Sequence, residues 1–114
     1  MAKVIVTKYL VEEIHKKFKG ESIEVFELIN TLRDNPKKGK PVGNVSGIVI
    51  KEIRYKSFRF YFITDGHKLK IMSESDLTDL LIRFVRMSDK KYQQETINEI
   101  KKILINFGSK GFDK

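Results

Sequence analysis

The stretch Ile48-Val49-Ile50-Lys51-Glu52-Ile53-Arg54-Tyr55-Lys56-Ser57-Phe58-Arg59-Phe60-Tyr61-Phe62-Ile63 decides the fold. It opens on β-branched residues and closes on aromatic ones, both of them strand formers. Side chains two apart on a strand share a face. Glu52 and Arg54 therefore point the same way, as do Arg59, Tyr61 and Ile63. If these strands pair, two guanidinium groups and a carboxylate converge on one sheet surface. Arginine suits phosphate there, because its planar fork donates in pairs and keeps its charge. A Glu52–Arg59 or Glu52–Arg54 ion pair on an exposed face is the simpler alternative. The remaining aromatics, Phe58, Phe60 and Phe62, read as core. Tyr61 stands apart because it shares the face of Arg59.

Toward the C-terminus, Asp65-Gly66 carries a two-residue hairpin signal, so His67 to Met72 is expected to pair back as a strand. Residues 75–87 are ambiguous: Leu77, Leu80, Leu81 and Phe84 fit a helix capped by Ser75, while Leu81 to Val85 fits a strand. Ser88-Asp89 then caps a last helix bearing Ile97, Ile100, Ile103, Leu104 and Phe107, closed by Gly108. Residues 109–114 are expected to form a flexible tail.

Toward the N-terminus, Lys37 to Gly47 reads as a Gly/Lys-rich loop. Val4-Ile5-Val6 is a short strand, and Thr7 caps a helix with Leu10, Val11, Ile14 and Phe18 on one face. Gly20 stops that helix. A second helix from Glu21-Ser22 carries Val25, Leu28, Ile29 and Leu32 and ends by Asn35-Pro36, since the residue before proline avoids the α region. The expected fold class is α+β: an N-terminal strand and helix hairpin packed on one face of a mostly antiparallel sheet of about four or five strands, then a C-terminal helix. Residues 1–108 form the single domain, and the opposite sheet face is expected to stay open.

Charge is concentrated in the same region. The net charge is +8, and residues 35–73 alone carry nine Lys and Arg against Glu52 and Asp65. A basic face for a polyanion is the better reading than a merely solvated surface. Lys37, Lys38 and Lys40, with Lys51 and Lys56, are candidate backbone-phosphate contacts. Lys90 and Lys91 lie at a helix N-terminus, where cations oppose the helix dipole, and join the candidates. The absence of cysteine excludes a disulfide scaffold, a thiolate zinc site and a cysteine nucleophile. His15 reads as a surface residue and His67 as a turn neighbour. No metal centre or cofactor is expected. No apolar run approaches a membrane span, and without a signal-peptide core the expected compartment is the cytoplasm.

The chain resembles the RelE/ParE toxin superfamily, most closely its HigB-like branch. The likeness rests on the element order, on Lys51-Glu52-Ile53-Arg54 followed by Phe58-Arg59-Phe60-Tyr61-Phe62, and on Phe84-Val85-Arg86-Met87-Ser88-Asp89-Lys90-Lys91 before the last helix. It covers about Val4 to Leu104 and turns residues 80–86 toward strand. It implies the toxin of a toxin–antitoxin pair, a metal-independent endoribonuclease that cuts mRNA on the ribosome, with an acidic antitoxin as partner. Arg59 then matches the arginine at the scissile phosphate, Arg54 that of the Glu-apolar-Arg strand, and Arg86 the first basic residue of the C-terminal motif. Glu52 serves as base or orients Arg59, and Tyr61 joins the RNA-binding residues. Met87 stands where a second basic residue is usual and no histidine follows the last strand, leaving Tyr92 or Lys90 to stand in. Two alternatives stay open: a ParE-like inhibitor of gyrase, and an RNA- or protein-binding module without toxicity.

Overall fold

Residues 1–113 are described by the computed structural model, and Lys114, the end of the expected flexible tail, lies outside them. The two strands of the deciding stretch form as β3 (Ile48–Tyr55) and β4 (Phe58–Asp65), antiparallel, with Glu52 opposite Tyr61 and Arg54 opposite Arg59. Here β1 is Lys3–Val6, β2 is Lys40–Val45 and β5 is Leu81–Asp89. The five strands order β1-β5-β4-β3-β2, with only the β1–β5 pair parallel. The helices are α1 (Lys8–Phe18), α2 (Ser22–Asn30), α3 (Gly66–Ile71) and α4 (Gln93–Phe107). The α+β class stands, with a five-stranded mixed sheet, and residues 81–89 are strand.

Helices α1 and α2, with the 3₁₀ turn Thr31–Arg33 that follows them, cover one sheet face, burying Leu10, Ile14, Val25, Ile29 and Leu32 against Ile53, Phe60, Phe62, Ile82 and Phe84. The opposite face is not open. Ile97, Ile100 and Leu104 of α4, with Phe112, pack on Ile50, Tyr61, Ile63 and Val85. The central strands are apolar on both faces, and each face needs cover to keep that area from water. Thr7 caps α1 as expected, its Oγ1 accepting from Leu10 N at 3.4 Å. Thr7→Ala is expected to lower stability by about 1 kcal/mol in urea unfolding.

Four local expectations are corrected. The Lys37–Gly47 loop contains β2, an edge strand whose register shifts between Pro41 and Gly43; an edge tolerates the donor that proline lacks. Ser46 and Gly47, at φ 49° and 85°, turn it into β3. Asp65-Gly66 makes no hairpin: Asp65 Oδ1 accepts from His67 N at 3.0 Å and Lys68 N at 3.1 Å, starting α3. Aspartate favours both a turn and a helix cap, so the local signal fits either. At the end of α1 the left-handed residue is Lys19, φ 47°, rather than Gly20, and a 3₁₀ turn leads into α2. Residues Gly108–Phe112 form a 3₁₀ turn instead of a loose tail, and Phe112 is buried.

The other boundaries shift less. Helix α2 ends at Asn30, a 3₁₀ turn ahead of Pro36. Strand β5 runs through Ser88 and Asp89, and Asp89 Oδ1 holds Tyr92 N at 3.0 Å before α4 begins. Gly108 closes α4 at φ 65°, as expected. Among the described residues no helix is long and apolar enough to cross a membrane.

Candidate functional site

Pairing Arg54 with Arg59, and Arg59 with Ser88, gathers three strands at the end of the sheet that carries the Lys56-Ser57 turn. Helix α4 begins there, so the α4-covered face is capped only by the helix's first turn. Glu52 sits beneath this rim, 2% exposed. Its Oε2 lies 3.4 Å from Arg54 Nε and 3.8 Å from Arg59 Nε, and its Oε1 accepts from Gln93 Nε2 at 3.3 Å. The convergence expected from strand alternation is present, and so are both ion pairs, on a buried carboxylate rather than an exposed one.

Arg59 is the unusual member. It is only 6% exposed, yet its guanidinium makes one long hydrogen bond, Nη1 to Ser57 O at 3.5 Å. Its Nε has no hydrogen-bond partner among the described residues. A buried donor left unsatisfied is costly, and a guanidinium carries five. Four of its five N–H donors are thus without a hydrogen-bond partner among the described residues, and the Nε among them is buried beside Glu52. Arg54, in the same cluster, is 58% exposed and reaches solvent. Lys40, opposite Glu52 across the β2–β3 pair, is exposed at the rim of the same face.

Arg86 does not join this group. Its Nε donates to Glu99 Oε1 at 2.7 Å and its Nη1 to Val85 O at 2.7 Å, and its guanidinium stacks on Tyr9 at 4.4 Å and Phe112 at 5.3 Å. Those contacts satisfy it structurally. Tyr61 is not a stacking platform: it is fully buried under α4, with its hydroxyl 2.8 Å from Ser88 Oγ. Burial raises its pKa, and the Ser88 hydrogen bond opposes that shift.

The lysines scatter. Lys90 and Lys91 are exposed between β5 and α4, beside the cluster's end of the sheet, with Lys91 over the Tyr92 ring. Lys56 is bonded to Glu21, which raises the lysine's pKa and lowers the carboxyl's. The Glu24 and Glu21 carboxylates accept from the Tyr55 hydroxyl and push its pKa up. Lys37 is exposed, and Lys38 donates to Thr31 Oγ1 at 3.2 Å.

Lys51 points to the α1/α2 side and is 5% exposed, its ammonium donating to Lys37 O at 2.9 Å. Desolvation lowers its pKa from the ordinary 10.5. Between its folded and unfolded values the unfolded chain binds more protons, so this group makes stability rise with pH there. Lys51→Met removes the buried charge. The difference in urea midpoint between Lys51→Met and wild type should therefore move in favour of wild type from pH 8 to pH 10.

Gln93 and Ser88 are the members that sequence reasoning missed. Gln93 opens a helix forty-one residues beyond Glu52, and only tertiary packing brings it to the carboxylate. No protein-family model, curated protein or solved structure matches the chain.

Proposed function

We propose that this chain is the toxin of a toxin–antitoxin pair and acts as a ribosome-dependent mRNA endoribonuclease. The observation that carries the reading is Arg59: a nearly buried guanidinium with an unpartnered Nε, steadied by Glu52 beside the exposed Arg54. In the proposed reaction an RNA 2′-oxygen attacks the adjacent phosphorus and the P–O5′ bond breaks, leaving a 2′,3′-cyclic phosphate and a 5′-hydroxyl. The proton leaves the 2′-hydroxyl and one is delivered to the 5′-oxygen. Arg59 and Arg54 bind the non-bridging oxygens and offset the charge of the pentavalent transition state. Glu52, already held by Arg54 and Gln93, orients the arginines. The lysines at the rim, Lys40, Lys90 and Lys91, add sequence-blind attraction to the backbone. The expected partners are mRNA, the ribosome and an acidic antitoxin that covers this basic end.

A second reading has its own support. Arg86 is engaged elsewhere, and the Arg59 cluster includes no histidine, leaving proton transfer without an evident carrier. A gyrase-type inhibitor, or a binding module without toxicity, needs no such carrier. Induced expression of wild type and Arg59→Ala, with growth curves and mapping of mRNA 5′ ends, separates the readings. Arrest with cuts inside translated codons, lost in the variant, supports the nuclease. Arrest without such cuts supports the inhibitor, and no arrest from folded protein supports the binding module.

A further inference from the structure

A basic cavity lies on the other side of the sheet from Arg59. It measures about 250 Å³ and is formed where α3 crosses over β2 and β3; Lys37, Lys51, Lys70, Asn44 and Gly66 are among the residues that line it. No carboxylate lines it among the described residues. Three lysines facing one cavity without a counter-charge repel one another, so the arrangement favours an anion between them.

Two features make this more than a patch of surface lysines. Lys51 is 95% buried by exposed area, and an ammonium carries three donors. One reaches Lys37 O; for the other two there is no hydrogen-bond acceptor among the described residues, and the Phe62 ring stands 5.9 Å away. The lowered pKa of Lys51 reflects the same incomplete solvation. The Asn44 amide, in turn, is oriented. Its Oδ1 accepts from Gly47 N at 3.4 Å, which directs Nδ2 to the side of Gly66. Gly66 keeps the wall close: its N–H donates to Gly47 O at 2.9 Å, and an added Cβ would come within 3.0 Å of that oxygen.

We infer that Lys51, Lys37, Lys70 and Asn44 form a binding site for one phosphate group, separate from the Arg59 cluster. The donors suit a tetrahedral oxyanion approached from several sides, and the cavity has room for it with part of its water shell, each water taking about 30 Å³. The site does not depend on RNA being cleaved. Its phosphate comes either from an RNA backbone or from a small phosphorylated ligand.

The test is an amide NMR titration of labelled protein at constant ionic strength, with inorganic phosphate, with chloride as control, and with a 2′-O-methyl RNA oligonucleotide that 2′-attack does not cleave. Saturable shifts at Asn44, Val49 and Gly66 with phosphate but not chloride are expected. Lys51→Met and Lys70→Ala should each weaken binding about tenfold, as loss of a charge-assisted bond does. The exposed Lys70 keeps the result interpretable if Lys51→Met melts at a different temperature. Shifts at the same amides with the oligonucleotide assign the site to RNA backbone; phosphate alone assigns it to a small ligand. Absence of saturation with both probes, or unchanged affinity in Lys51→Met and Lys70→Ala, overturns the inference.

Discussion

On the proposed nuclease function, Arg59→Ala is expected to reduce mRNA cleavage about a hundred- to a thousandfold and to relieve growth arrest, while the purified variant still unfolds cooperatively. The magnitude is that of removing one preorganised donor from a transition-state oxyanion. Folding should survive because Glu52 keeps Arg54 Nε at 3.4 Å and Gln93 Nε2 at 3.3 Å. The carboxylate is then not left buried without a partner, the circumstance that costs about 3–5 kcal/mol. Arg59→Lys retains the charge but loses the fork, and should fall between wild type and alanine. Mapped 5′ ends from cells expressing each variant check the order. Undiminished cutting by Arg59→Ala would remove Arg59 from the reaction altogether.

Phe112→Ala is expected to cost about 3–5 kcal/mol, the usual penalty for truncating a buried phenylalanine. For a chain of this size that is a drop in Tm of roughly 10–20 °C, read by calorimetry. Phe112 is 4% exposed and packs with Ile97, Ile100 and Leu104 over Tyr61. It also lies under the Arg86 guanidinium, while the neighbouring Asp113 accepts from Arg83 Nη2 at 2.6 Å. A loss below 1 kcal/mol would mean that the segment after Gly108 contributes little to the fold.

The β3–β4 pair and the Glu52, Arg54 and Arg59 cluster were legible because strand periodicity places Glu52 with Arg54 and Arg59 with Tyr61, and pairing the two strands across the short Lys56-Ser57 turn brings those faces together. What escaped the sequence depends on distant partners or on signals with two meanings. Arg86 carries the right charge at the expected place, but Tyr9 and Glu99, from opposite ends of the chain, claim it. Tyr61 shares the face of Arg59, as alternation requires, yet α4 lies over it. The apolar stripe of α4 was visible; its destination, the second sheet face, was not. Strand β2 was hidden by Pro41 and Gly43, which only an edge position accommodates. Lys37, Lys51 and Lys70 sit far apart in a basic stretch, and only the crossing of α3 over β2 and β3 brings them to one cavity.

The parallel pairing of β1 with β5 sets the order in which a nascent chain can finish. Val4 takes its ladder partner from Ile82, so β1, made before the other four strands of the sheet, is the last of them to be paired. At about 5–20 residues per second, β1 and the helices behind it wait roughly 4–15 s for β5 to be synthesised. Gln93, which completes the shell around Glu52, comes later still. During translation the molecule is thus an unfinished sheet with a bare strand edge, and the Arg59 cluster matures only once the start of α4 has been made.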